Sequence, residues 1–141
     1  MKNNSVILII IEKMNRKIIR IASALGMIAI ILGAFGAHAL KSVLNENELV
    51  SFETGVRYQF YHSLFLLFVG TTVLLSDKIK KIILTLVVIG VLFFSGSIYL
   101  LATNDLTSVD FKIIGPITPI GGLLLIGAWA TLFLNILNQK G

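Results

Sequence analysis

The sequence predicts an all-α integral membrane protein built as a four-helix transmembrane bundle. The four apolar stretches are 18–39, 58–75, 82–101 and 119–137. Each has about the 20 residues that a helix needs to cross the hydrocarbon core of a bilayer. Charged residues form only 13% of the chain, against about 25% in soluble domains. The stretches are also apolar around their whole circumference, whereas helices of soluble proteins keep a polar face.

The length and composition leave room for one membrane domain. Four spans use more than half of the 141 residues, so we assign residues 14–141 to a single domain and residues 1–13 to a non-essential extension. The chain has no cysteine, which excludes disulfides and thiolate chemistry. The net charge of +5 resides in lysines and arginines that flank the spans. We therefore expect the bilayer, and not nucleic acid, as the partner of these charges.

The distribution of positive charge predicts the orientation. Nine of the twelve Lys and Arg residues precede the first span or lie in its first turn, lie between the second and third spans, or follow the fourth. The other three lie in the two remaining loops. Cytoplasmic segments carry the excess of Lys and Arg, so both termini are predicted to be cytoplasmic. The expected location is the plasma membrane, crossed several times.

The first span carries a stripe of small residues. Its members are Ala22, Gly26, Ala29, Gly33 and Ala37. Such a stripe lets two helices approach closely in lipid, so we expect it to be a packing face. The Ala-x-Ala pattern at 37–39, behind a basic lead and an apolar run, leaves a cleavable signal peptide as the alternative. The glycines favour a helix that is retained.

The connection between the first and second spans predicts a short amphipathic helix at the external surface. Asn45 and Glu48 have the spacing of a capping box, the pattern that opens a helix. Glu53 and Arg57 then stand one turn apart, with the acid first. The alternative is an ordinary solvated loop.

A break is predicted before the fourth span. The residues that indicate it are Gly115, Pro116, Pro119, Gly121 and Gly122. Two prolines three residues apart do not fit the interior of a regular helix. We therefore expect a re-entrant or extended segment, with Pro119 in the first turn of the last span.

Polar residues concentrate at the ends of the spans that face away from the cytoplasm in this orientation. The candidate cluster is His38, Glu53, Arg57, Tyr58, Gln59, His62, Ser95, Ser97, Tyr99 and Thr118. Polar side chains at membrane depth are costly and usually face the bundle interior or water. This cluster is therefore the candidate functional site.

Several kinds of chemistry have little support in this pattern. Two histidines without a matching carboxylate are a weak metal or haem signal, so no metal and no cofactor are expected. A neutral histidine can instead join helices by hydrogen bonds. Glu53 and Arg57 could hold an anionic group, or form a rim ion pair of little energetic value. The sequence shows no nucleophile–base pattern, so we do not expect an enzyme.

Four ordered blocks resemble a known family. They are GAFGAHALK at 33–41, FETGVRYQFYH at 52–62, FSGSIYL at 94–100 and GPITPIGG at 115–122. Together they are similar to the YwdK/YgdD-type small membrane proteins, a family classed as a domain of unknown function with eukaryotic transmembrane relatives. The resemblance covers residues 14–137 and implies a bacterial four-span protein of the plasma membrane. It implies no reaction and no ligand.

Two functional interpretations remain open. The leading one is a non-enzymatic accessory, assembly or envelope-homeostasis factor, which forms homo-oligomers or contacts other membrane proteins. The alternative is binding or transport of a small molecule or lipid through an outward-facing pocket lined by Arg57, His62 and Tyr99, in an oligomer. An intramembrane enzyme is the third and least supported possibility.

Overall fold

All regular secondary structure in the described part of the chain is helical. The computed structural model describes the backbone of residues 2–139 and the side chains of residues 12–139. Within it lie four α-helices and no strand, which confirms the all-α class. The α-helices are α1 Lys2–His38, α2 Glu46–Thr71, α3 Asp77–Ala102 and α4 Ile117–Leu137. Residue 1 and the side chains of residues 2–11 lie outside the described part, so the extension 1–13 stays a prediction.

The helices pack in chain order. Helix α1 lies mainly against α2, α2 against α3, and α3 against α4. We call the end with the 39–45 and 103–116 connections the loop end, and the end with the 72–76 turn the turn end. The larger buried core lies toward the turn end, where residues such as Ile18, Leu66 and Val87 meet. A smaller core, which includes Leu40 and Phe52, lies at the loop end.

Helix α2 combines the predicted amphipathic helix with the predicted second span, and it ends earlier than that span. It begins at the predicted capping box: the Asn45 side chain accepts from the Glu48 amide at 3.0 Å, and Glu48 accepts from the Asn45 amide at 2.8 Å. The helix then continues without a break to Thr71. The predicted amphipathic helix is therefore the first part of α2 and not a separate element. The predicted second span, 58–75, extends too far, because 73–75 are apolar turn residues and Ser76 caps α3.

The segment before α4 is compact. Residues Phe111–Ile114 form a 3₁₀ turn, and both Gly115 and Pro116 have right-handed helical backbone angles. The prediction of an extended segment is therefore wrong, and re-entry of this segment into the membrane stays a prediction. Pro119 is the third residue of α4, in the first turn as predicted. Proline is tolerated there because the first helical amides have no partner inside the helix.

Three helical segments of the described residues are long and apolar enough to cross a membrane. They are Glu12–Ser42, Asp77–Ala102 and Phe111–Leu137. Helix α2 is not among them, although it is long, because Arg57, Gln59 and His62 interrupt its apolar sequence. The four-span arrangement predicted from the sequence therefore requires that the polar side chains of α2 are hydrogen-bonded inside the bundle or reach the membrane surface.

Candidate functional site

Gln59 joins three helices in the loop-end half of the bundle. Its side chain is only 4% exposed. The Gln59 amide nitrogen donates to the Leu25 carbonyl of α1 at 2.9 Å, and its amide oxygen accepts from the Tyr99 hydroxyl of α3 at 3.0 Å. A buried amide that lacked partners would cost free energy. Here both ends of the amide are satisfied, so this polar residue of α2 stabilises the bundle.

His62 is held by hydrogen bonds at both ring nitrogens. Nδ1 lies 2.7 Å from the Tyr58 carbonyl, and Nε2 lies 3.3 Å from the indole nitrogen of Trp129 on α4. A carbonyl only accepts and an indole N–H only donates. These partners therefore define a neutral imidazole with its proton on Nδ1. Trp129 occupies the Nε2 lone pair that would bind a metal. His62 therefore joins α2 to α4 through hydrogen bonds.

Trp129 was not assigned to the site from the sequence. Its ring stacks on Phe65 with a centroid separation of 4.1 Å, and its N–H reaches His62. The signal available in the sequence was its position in mid-span, away from the interfacial level where tryptophan is enriched. Trp129 connects α4 to α2 across the edge of α3.

Ser97 and Thr118 connect α3 to α4. Their hydroxyl oxygens lie 2.6 Å apart. Ser97 also lies 2.5 Å from the Phe93 carbonyl of its own helix. Ser95 is different: its side chain is fully buried, and its hydroxyl has no hydrogen-bond partner among the described residues. Among the described residues, neither serine is hydrogen-bonded to a side chain that could act as a general base.

The remaining candidate residues face outward. His38, Glu53, Arg57 and Tyr58 are exposed. Arg57 donates to the Thr54 hydroxyl at 3.2 Å and does not turn toward His62 or Tyr99. The only ion pair among the described residues joins Arg16 to Glu12. The ten predicted residues therefore divide into four exposed residues and six buried or half-buried ones, and all of the six except Ser95 take part in hydrogen bonds between helices.

Two cavities of the described residues each contain one of the candidate polar residues, Thr118 in one and Arg57 in the other. A notch of about 280 Å³ opens between α2, α3 and α4 at the loop end. It is lined by Asn47, Glu48, Ser51, Ile98, Leu101, Ala102 and Thr118. The pocket residues of the transport interpretation, Arg57, His62 and Tyr99, are not in this set. Gln59, His62 and Tyr99 are instead hydrogen-bonded between helices.

The stripe of small residues is the face on which α1 packs against α2. Ala22 and Ala29 are fully buried. A Cβ on Gly26 would lie 3.0 Å from the Ser63 hydroxyl oxygen, and one on Gly33 would lie 3.3 Å from Val56. Ala37 was predicted to share this face but is exposed, and Gly36 approaches Phe52 in its place.

Gly121 and Gly122 do not break α4. Both lie in the regular part of the helix. Gly121 instead lets α4 approach the backbone of α3, since a Cβ there would lie 2.3 Å from the backbone nitrogen of Phe94. Its role in the structure is close packing and not a kink.

Lys80 forms a second polar site, at the turn end, that sequence reasoning missed. It is 2% exposed, and its ammonium donates to the Asn15 side-chain oxygen and to the Thr72 carbonyl, both at 2.7 Å. The signal was its spacing: Lys80 precedes Ile83, Leu84 and Val87 by three, four and seven residues, which places it on the buried face of α3. Lys80 thereby joins α1, the end of α2 and α3.

These features define a small helical membrane protein whose polar residues chiefly connect its helices. The family described as "Protein of unknown function (DUF423)" matches residues 32–122. Relatives named UPF0382 membrane proteins match most of the chain. One from Staphylococcus haemolyticus is 40% identical, covering 82% of this chain and 90% of the relative.

Two further relatives are the proteins YwdK and YgdD, after which the family that the four sequence blocks resemble was named above. The UPF0382 membrane protein YwdK of Bacillus subtilis is 38% identical, covering 73% of this chain and 81% of its own. The UPF0382 inner membrane protein YgdD of Escherichia coli is 33% identical, covering 84% and 88%. The chain therefore belongs to the DUF423, or UPF0382, family of membrane proteins, as its four sequence blocks predicted. No solved structure matches the chain.

Proposed function

We propose that the chain is a four-span protein of the plasma membrane with both termini in the cytoplasm. We further propose that it acts as a non-enzymatic accessory, assembly or envelope-homeostasis factor. The observation that carries the proposal is the use of the buried polar side chains. Gln59, His62 and Ser97 are bonded to neighbouring helices. Polar groups used in this way stabilise a bundle and need not bind a substrate.

The position of α2 supports its assignment as the remaining span. Its 26 residues correspond to about 39 Å at 1.5 Å per residue, more than the roughly 30 Å of the hydrocarbon core. Helices α1 and α3 pack on it from either side. Its buried polar residues bond to neighbouring helices, Gln59 to α1 and α3 and His62 to α4. On its exposed surface, Leu64 and Phe68 are apolar. A helix of low overall hydropathy can span a bilayer when its polar groups are satisfied inside the bundle.

Cysteine labelling tests both the number of spans and the orientation. Because the chain has no cysteine, the variants Ser42→Cys, Val73→Cys and Ser108→Cys each carry a single thiol at an exposed position. We expect a membrane-impermeant maleimide to label residues 42 and 108 in intact cells and residue 73 only after lysis. Equal labelling of residues 42 and 73 in intact cells would show that α2 does not cross. The inverse pattern would reverse the orientation.

The non-enzymatic role is tested by Ser95→Ala. This change removes a buried hydroxyl that has no hydrogen-bond partner among the described residues, so we expect folding to be retained, with stability equal or higher by about 1 kcal/mol. In a strain that lacks the gene, the variant should restore growth under osmotic downshift and detergent stress as well as the wild-type chain does. Membrane levels of both proteins are measured by immunoblot. Loss of function at an unchanged level would contradict the proposal and favour a site that uses the hydroxyl.

The second candidate function is lipid binding. It is favoured by an apolar groove at the α1–α2 seam that carries an arginine, and not by the polar notch at the loop end. Transport through an oligomer, which the sequence left open, has no comparable observation in its favour.

A further inference from the structure

We propose that the groove between α1 and α2 binds one acyl chain of an anionic phospholipid, whose phosphate is held by Arg57. The inference rests on the proposed crossing of the membrane by α2. It adds a ligand of stated chemistry to a surface distinct from the buried polar contacts. Three observations carry it: the environment of Arg57, its depth, and the shape of the groove.

Arg57 has no acidic partner in the described part of the chain. All seven acidic residues lie within it, and the single ion pair joins Arg16 to Glu12. Within the described residues, Arg57 makes one side-chain hydrogen bond, to Thr54, although a guanidinium carries five donors. An arginine at membrane depth requires an anionic or carbonyl partner. A phosphate matches the paired donors of the guanidinium.

The depth of Arg57 suits a lipid phosphate. It lies fourteen residues before Thr71, the last residue of α2, which is about 21 Å along the helix. With Thr71 at one interface, the Arg57 backbone lies about 9 Å below the opposite surface of a 30 Å hydrocarbon core. Helical side chains lean toward the N-terminus of their helix, here the loop end. The long side chain can therefore place its charge at the headgroup level.

The groove itself suits a hydrocarbon chain. It has a volume of about 260 Å³, and its walls are almost wholly apolar. Its lining is Ala29, Ile30, Gly33, Ala34, Val56, Arg57, Phe60 and Tyr61. The space for a ligand exists because Ala29, Gly33 and Ala34 of α1 have small side chains or none. This volume is below the range for drug-sized ligands, which favours a single chain. A second apolar groove, on α4 around Trp129 and Phe133, has no charged residue.

The experiment measures lipid binding to the purified full-length protein. Native mass spectrometry in detergent counts adducts during titration with palmitoyl-oleoyl phosphatidylglycerol or palmitoyl-oleoyl phosphatidylcholine. We expect the wild-type chain to bind the anionic lipid about tenfold more tightly, the factor that corresponds to 1.4 kcal/mol. Arg57→Gln should remove this preference. Lys41→Gln, which removes another exposed cation from the loop end, should keep it.

A second pair of variants tests the groove. Ala34→Phe places a ring in it and should abolish the preferred adduct. Ala24→Phe makes the same change on α1 at an exposed position outside the groove and should leave the adduct unchanged. The proposal is overturned if Arg57→Gln keeps the preference for the anionic lipid, or if both lipids bind the wild type equally. It is also overturned if the wild-type protein is a dimer that Ala34→Phe dissociates while the lipid adducts stay unchanged, because the groove would then bind a second copy of the chain. Cysteine labelling in cells tests the crossing of α2 separately, so the two proposals fail on different measurements.

Discussion

Replacement of Gly121 by alanine is expected to destabilise the protein by about 3 kcal/mol or more, at or above the upper end for overpacked cores. The added Cβ would lie 2.3 Å from the Phe94 nitrogen and 2.7 Å from the Phe93 carbonyl carbon. These are backbone atoms, so a side-chain rotation cannot relieve the clash. Helix α4 would have to move away from α3. Thermal unfolding of the detergent-solubilised protein, followed by Trp129 fluorescence, measures the effect.

Two other glycines serve as matched controls for Gly121→Ala. A Cβ on Gly122 would lie 3.6 Å from the Phe94 ring, which is ordinary contact, and one on Gly96 would meet no atom within 4 Å. Alanine at Gly96 should stabilise the helix by roughly 0.5–1 kcal/mol, because glycine is the poorer helix former. Unfolding temperatures that do not separate Gly121→Ala from these two variants would show that α3 and α4 do not pack this closely.

Replacement of Lys80 by alanine is the second large effect. The change removes two short hydrogen bonds from a charged donor and leaves the carbonyl of the half-buried Thr72 without this partner. Hydrogen bonds to charged groups contribute about 1.5–3 kcal/mol each. Part of the stabilisation by these two hydrogen bonds is offset, because burying the ammonium group costs free energy. We expect a net loss of about 2–4 kcal/mol in the same unfolding measurement.

Lys78→Ala and Lys81→Ala are the controls for Lys80→Ala. Both lysines are exposed, and each substitution removes the same single charge from the same segment. All three variants therefore weaken the orientation signal equally, whereas only Lys80→Ala removes contacts between helices. If the three variants unfold at the same temperature, Lys80 contributes through its charge alone and the buried contacts are not important for stability.

The helical class could be predicted from the sequence because hydropathy over about 20 residues is a local property. The start of α2 could be predicted for the same reason: Asn45 and Glu48 cap each other within one turn. The first-turn position of Pro119 follows from its missing amide hydrogen. The end of α2 could not be predicted, because Leu75 is buried in a turn and its apolar character says nothing about helix continuation.

The candidate site was harder to predict because its bonds join distant residues. Polarity indicated that Gln59 and His62 need partners, but the partners are Leu25, Tyr99 and Trp129, which only packing brings near. Spacing along α2 likewise grouped Arg57 with Glu53, whereas no ion pair forms between them. The burial of Lys80 depends on Asn15 and Thr72 meeting at one point, and the sequence offers only its periodic position.

The bonding of Gln59 to two neighbouring helices has a consequence for biogenesis. Alone in lipid, α2 would expose a guanidinium, an amide and an imidazole to hydrocarbon, which makes it a poor candidate for independent insertion. Its hydrogen-bond acceptor on α1 is synthesised before it, and its donor on α3 is synthesised after it. A membrane-crossing α2, as proposed above, would therefore leave the translocon as part of a growing hairpin and be held there until α3 emerges.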